Sequence, residues 1–455
     1  MSDPRERSPA ERGTGGATAR AGGATRAAGG ATARAGGATR AAGGAAARAG
    51  GATRAAGGAA ARALEVVLAP DSFKGSLSSL EVAEALGRGW ARARPGDRLH
   101  LSPLADGGEG TLVAIHAAGG WEWREAQAHD PLGRPLTARW LTAGDGRGRR
   151  AVVELAEASG LSRLSAAERD AGRASTRGTG EVLRAVLDAG IRHVVLGVGG
   201  SATTDGGSGI LAALGARLLD AAGHELPDGG AALGGLARID LSGLDPRLGE
   251  LELRIACDVT NPLLGPAGAA ATYGPQKGAD AAAVAALDTA LARYADVLEA
   301  TTGRRERDTP GAGAAGGTTF GLLCLRDRLR GLELVAGVEL VMEETDLDGR
   351  LRSADLVVTG EGRIDAQTAF GKTALGVARR AAAAGIACIA VGGGVEPEGI
   401  AALAGFGTVV VPVAEGPGTV EQAIAAGATP VERAAERIAR LLTIGLTLPT
   451  RRDAP

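Results

Sequence analysis

Residues 15–63 offer no apolar side chain larger than Ala, whereas from Leu64 onward short apolar runs alternate with amphipathic stretches. Leu64-Glu65-Val66-Val67-Leu68 reads as a short buried strand, with Pro70-Asp71-Ser72-Phe73-Lys74-Gly75 as the loop at its C-terminal end. Ser78-x-x-Glu81 then has the spacing of a capping box, and Val82, Leu86 and Trp90 share one helical face. The same grammar of strand, loop and helix returns at 193–196, which runs into Gly197-Val198-Gly199-Gly200-Ser201, and at 253–257, 356–358 and 387–391. Strands alternating with Ala-rich helices predict an α/β fold with a parallel, Rossmann-like sheet. Between Gly120 and Glu154 the pattern changes to 121–127, 136–141 and 152–155 with turn residues between them. That predicts an antiparallel sheet, and hence a second, α+β domain inserted in the first. The expected boundaries are 64–100 and 250–448 for the Rossmann-like domain and 101–249 for the insert.

Residues 15–63 repeat every seven positions as variants of Gly-Gly-Ala-Thr-Ala-Arg-Ala. Paired glycines cost about 1 kcal/mol each in helix propensity, and no bulky side chain offsets the ordering entropy. Residues 1–63 are therefore expected to be a disordered extension, and 449–455 a disordered tail. Charge follows the same division. The chain totals −2, but residues 1–63 hold ten Arg against Asp3, Glu6 and Glu11, a balance of +7 that leaves −9 for the rest. A mildly acidic body disfavours a nucleic-acid-binding core. No apolar run approaches the roughly 20 residues of a membrane span, so a cytoplasmic protein is expected. Cys257, Cys324 and Cys388, with no close pair, suit neither a disulfide framework nor a zinc site. Against fifty basic residues only Lys74, Lys277 and Lys372 are lysines, and Asn261 is the one asparagine. Where a bias toward Arg has spared a lysine, a compact point charge is the expected reason.

In open α/β sheets, ligands bind beyond the carboxyl ends of the strands. The segments there hold Asp71, Ser72 and Lys74; Ser201, Thr203 and Asp205; Asp258 and Asn261; and Glu361, Arg363 and Asp365. Carboxylates and hydroxyls beside glycines suit Mg²⁺ and phosphate, although for any single Asp a helix cap is the simpler reading. Asp106-Gly107-Gly108-Glu109-Gly110-Thr111 reads equally as an acidic first turn or as a substrate loop, and the glycines of 311–317 as close packing or as a nucleotide site. Phe370-Gly371-Lys372-Thr373 is no P-loop, because Ala366 stands where the motif needs Gly. Gly197-x-Gly199-x-x-Ala202 followed by Asp220 supports a rival, an NAD-dependent oxidoreductase. Against it stand Asp205, a carboxylate beside the pyrophosphate, and five scattered histidines. A third class, a non-catalytic scaffold built on the basic repeat, predicts binding that is lost with residues 1–63.

Taken in order, these loops resemble the type I glycerate kinases. The matching stretches are 69–76, 105–111, 130–134, 199–207, 257–263, 274–279, 311–317 and 359–365 with Gln367, Gly371 and Lys372, and the resemblance extends from Leu64 to about residue 445. It implies transfer of the γ-phosphoryl of ATP to D-glycerate with Mg²⁺, giving 2-phosphoglycerate, in a cleft between two α/β domains. Small-molecule partners follow, with no membrane or specific nucleic acid, and with room for a homodimer. On that resemblance Lys74 and Lys277 neutralise phosphate or the glycerate carboxylate, and Asp71 or Asp205 deprotonates the accepting hydroxyl. Ser72, Asp106, Gly107, Gly108, Ser201 and Asn261 bind substrate. Gly313, Gly316, Gly360, Glu361 and Lys372 bind ATP, and Asp258 and Asp365 hold the metal. Thr204 departs from the family's usual Asn, and residues 1–63 have no counterpart.

Overall fold

The computed structural model describes residues 62–145, 148–370, 373–416 and 418–447. The expected N-terminal extension, except Arg62 and Ala63, and the expected C-terminal tail lie outside the described residues. Two main sheets are formed. The first has five parallel strands in the order β13-β12-β11-β1-β2: β1 Glu65–Pro70, β2 Arg98–Leu101, β11 Leu356–Ile364, β12 Ala387–Val395 and β13 Val409–Pro412. The second has six, in the order β10-β9-β6-β5-β4-β3: β3 Glu122–His129, β4 Pro135–Asp145, β5 Gly148–Glu154, β6 His193–Gly197, β9 Glu252–Ala256 and β10 Gly331–Val335. Here β5, β6, β9 and β10 are parallel, while β3 and β4 add an antiparallel ribbon at one edge. A separate ribbon pairs β7 Arg217–Leu219 with β8 Arg238–Asp240.

The chain leaves the first sheet after β2 and rejoins it at β11, so the six-stranded sheet is an insertion. The expected boundary at residue 250 does not coincide with it, because β9 and β10 pair in the inserted sheet. An apolar run of four to six residues looks the same whichever sheet it joins, and only long-range pairing decides the matter. The inserted sheet is also mixed rather than antiparallel throughout, since β5 pairs with β4 on one side and runs parallel to β6 on the other.

Helix α1, Ser79–Ala93, begins at the expected capping box, with the Ser78 side chain accepting from the Glu81 N–H, and it buries Val82, Leu86 and Trp90. Helix α2, Thr111–Ala118, lies on the crossover from β2 to β3. Helices α3 (Leu155–Ser159), α4 (Arg177–Asp188) and α5 (Ser208–Ala213) flank the inserted sheet. One buried cluster joins the two main sheets. Val67, Ala69 and Val357 of the first pack together with Leu141, Val152, Val195 and Ala256 of the second, through Leu104, Leu112 and Ile115 and the helix Gly337–Glu344. At roughly 1.5–3 kcal/mol per buried large apolar side chain, that shared core holds the C-terminal edges of both sheets in a fixed relation.

Candidate active site

The strand-end loops of the two sheets meet around four charged side chains. Beyond β1, the Asp71 N–H donates to the Gly360 carbonyl at 2.8 Å, which ties the loop to β11. The Asp71 carboxylate accepts from the Ser72 N–H at 2.6 Å and from the Thr373 hydroxyl. Burial raises its pKa from the ordinary aspartate value. A tight turn follows, with Phe73 and Leu77 exchanging backbone hydrogen bonds and Gly75 at φ +80°. It projects Lys74, whose side chain is 79 % exposed, to Asp106, with Nζ donating to Oδ2 at 2.9 Å. This bond raises the ammonium's pKa, with further contributions from Asp71 and Asp258. Asp258, beyond β9, accepts from the Gly337 N–H at 2.8 Å; burial raises its pKa, Asp106 and Asp71 add to that, and Lys74 opposes it. Asp71, Lys74, Asp106 and Asp258 thus form one electrostatic cluster drawn from both sheets.

Asp106 is placed by glycines. Gly107, at φ +81°, lies so close to Ala256 that a Cβ there would overlap it. The Gly199 N–H donates to the Gly107 carbonyl at 3.3 Å, and a Cβ on Gly199 would collide with Gly108. A Cβ on Gly197 would stand 2.7 Å from the Gly107 carbonyl oxygen. The dinucleotide-like run 197–202 therefore seats the protein's own 106–110 loop where the rival reading would put a pyrophosphate. A residue that the sequence reading passed over completes the seat. Glu154, buried at the end of β5, accepts from the N–H groups of Gly110 and Leu112. Its signal was a lone carboxylate closing the apolar run Ala151-Val152-Val153.

Asp205 and Lys277 lie apart from this cluster, each enclosed by protein. Asp205 is 0 % exposed. Its carboxylate accepts from the Thr176 N–H and hydroxyl, both at 2.8 Å, and from the N–H groups of Gly207 and Gly209. It ties the start of α4 to the start of α5 and has no access to a substrate hydroxyl, which removes it as the base. Lys277 is 2 % exposed, and Nζ donates to the Ser201 hydroxyl at 2.9 Å and the Thr203 carbonyl at 2.6 Å. Burial pulls its pKa down to about 7 against the opposing charge of Asp205. A buried amine with two internal acceptors cannot neutralise a bound phosphate; what it holds is Ser201. Thr204 is buried with a hydroxyl that makes no hydrogen bond among the described residues.

Asn261 is also internal to its loop, because its amide donates to the Ala267 carbonyl and the Thr272 hydroxyl and accepts from the Tyr273 hydroxyl. Buried Gly313 and Gly316 are explained by protein packing. A Cβ on the first would overlap the Pro262 carbonyl, and on the second, at φ +70°, the Thr203 carbonyl. That leaves no room for nucleotide against either. Gly360 sits against Asp71 and Val391, and Glu361 accepts from the Thr368 hydroxyl at 2.9 Å. Asp365 has Arg363 and the Gln367 N–H as partners. Lys372 lies outside the described residues. A groove of about 810 Å³ opens at the opposite end of the inserted sheet, lined by charges such as Arg150 and Glu344, paired at 2.7 Å, and it contains none of the strand-end groups.

Fold and site together define an α/β enzyme in which carboxylates and an ammonium converge from the strand ends of two sheets. The chain belongs to the glycerate kinase family, whose family model matches residues 66–443. It is 43% identical to a glycerate kinase of Bacillus subtilis (strain 168) over 85% of this chain and 99% of that protein. It is 41% identical to the glycerate 2-kinase of Escherichia coli (strain K12) over 84% of this chain and 99% of that one. A crystal structure of a putative glycerate kinase 2 from Salmonella typhimurium LT2 superposes with a TM-score of 0.72 at 41% identity, covering 85% of this chain and all of the other.

Proposed function

We propose that this kinase transfers the γ-phosphoryl of ATP to D-glycerate and releases 2-phosphoglycerate. The observation that carries the reading is the Asp71, Lys74, Asp106 and Asp258 cluster; the names of the relatives supply the substrate. Phosphoryl transfer consists mostly of positioning and charge neutralisation, with a carboxylate to take the alcohol proton. Asp71 takes that proton. Its raised proton affinity suits a base, and the Thr373 and Ser72 bonds fix the direction of its free lone pairs. Lys74, exposed at the tip of its turn, exchanges Asp106 for the glycerate carboxylate or the transferring phosphoryl group. A Cβ on Gly360 would likewise meet the Val391 carbonyl, so nucleotide is assigned to the β11 side through Glu361 rather than Gly360. Among the described residues no three carboxylate, His or Cys groups could by themselves hold a metal ion. Hard carboxylate oxygens without a preformed cage suit Mg²⁺, which keeps few protein ligands beside substrate phosphates. Asp258 would hold it, with Asp106 rather than Asp365 as neighbour, because Asp106 is the carboxylate whose charge acts most strongly on Asp258. Bound there, the ion would neutralise charge on the phosphates. Among the described residues no helix is long and apolar enough to cross a membrane, and we read the enzyme as cytoplasmic.

The test is ADP release coupled to a panel of small hydroxy acids, with phosphorus NMR of the product. The reading requires glycerate-dependent ADP, the 2-phosphate ester and loss of activity on chelation of Mg²⁺. Asp71→Asn and Lys74→Ala should each fold and lose about 10²-fold or more in kcat. Wild-type turnover in either variant overturns that residue's role, and no glycerate-dependent ADP overturns the function.

A further inference from the structure

Glu154 is a buried carboxylate that the chemistry above does not use. It is 5 % exposed at the end of β5, and among the described residues its hydrogen-bond partners are the N–H groups of Gly110, at 3.1 Å, and Leu112, at 3.2 Å. Those groups open α2, directly after the segment that carries Asp106. The rest of that segment meets the inserted sheet through close backbone contact, at Gly107, Gly108 and Gly199. Glu154 is therefore the charged side chain through which the inserted sheet grips the loop.

We propose that Glu154 is a positioning residue for phosphoryl transfer, seating the 106–110 loop and thereby setting Asp106 against Lys74. This rests on the kinase reading above. The surroundings make the grip sensitive to pH. Glu109 from the loop and Glu157 from α3 face the carboxylate, Arg139 of β4 is the cation in its field, and burial pushes its pKa up to about 7. Ionised, Glu154 accepts from both N–H groups. The two N–H bonds lower the pKa that burial raises, so with the loop released and Glu154 still enclosed the carboxyl holds its proton more tightly, and protonation favours the loosened loop. Activity therefore falls as pH drops through about 7.

Two measurements on wild type, Glu154→Gln and Glu154→Asp test this. The first is the pH profile of kcat/KM for glycerate. Wild type should show an acid-side inflection near 7; Glu154→Gln should lose it and fall about 10- to 100-fold at pH 8; Glu154→Asp, which keeps the charge, should retain an inflection. The second, independent of activity, is amide hydrogen exchange of residues 106–115 corrected for intrinsic rates. Protection should rise through the same pH range in wild type and stay low and flat in Glu154→Gln. A Gln variant with wild-type kinetics overturns the proposal, and so does one whose loss is equal at every pH with protection lowered throughout the molecule. Should wild type lack glycerate-dependent ADP release, the kinase reading fails, and the exchange profile alone decides whether Glu154 seats the loop.

Discussion

Asp71 and Asp205 both stand in loops beyond parallel strands, and their surroundings give them different parts. Asp71 accepts from two donors, the Ser72 N–H and the Thr373 hydroxyl, and shares a field with Asp106 and Lys74. Asp205 spends its carboxylate on four protein donors and meets no solvent. Asp205→Asn puts an NH₂ group among those donors. It should lower unfolding free energy by about 1.5–3 kcal/mol, the range for hydrogen bonds to a charged group, while folded molecules keep their kcat. Denaturant unfolding and active-site-normalised turnover check this, and a drop in kcat at unchanged stability would return Asp205 to the chemistry. The sequence pointed to both aspartates because each follows a strand among glycines. It could not rank them, since residue type and spacing do not state how many protein donors will surround a carboxylate. The same holds for Lys277 and Asn261, where rarity in an Arg-rich chain marked residues with a specific bonding requirement. For these two the requirement is internal, a Ser201 and Thr203 contact in one case and a loop-closing amide in the other.

Loops and strands were the more legible level. Apolar runs bounded by Gly and Asp located β1, β6, β9, β11 and β12, because a strand buried on both faces has few other ways to be written. What the glycines were for depended on the element opposite. Gly197 and Gly199 resemble a phosphate-binding fingerprint because both a pyrophosphate and a second backbone need an approach without Cβ. Here the second backbone is the 106–110 loop. Gly199→Ala would drive its methyl into Gly108, so about 1–3 kcal/mol of destabilisation is expected. A fall in kcat/KM of roughly 10-fold or more should accompany it, since Asp106 moves with the loop. Thermal unfolding with steady-state kinetics measures both, and an Ala variant matching wild type in each would show that the loop does not depend on this contact.

For the molecule as a whole, every strand of the two main sheets and every member of the charged cluster lies after Leu64, and the family model begins at residue 66. Deleting residues 2–61 removes nine Arg and three acidic residues and makes the chain more acidic, yet kcat and KM for both substrates should be unchanged. A loss of turnover on deletion would show that the repeat takes part in catalysis. The alternation of strands and helices, the strand-end placement of the chemistry and the family resemblance were all determined by local order along the chain, because apolar periodicity, caps and turn residues act over a few positions. Pairing over hundreds of residues decided the rest. It put β9 and β10 in the inserted sheet, closed Asp205 and Lys277 away from the cleft, recruited Glu154 to the Asp106 loop, and brought Asp71, Lys74, Asp106 and Asp258 together. Burial and hydrogen-bond satisfaction are properties of the packed chain, and no run of neighbouring residues contains them.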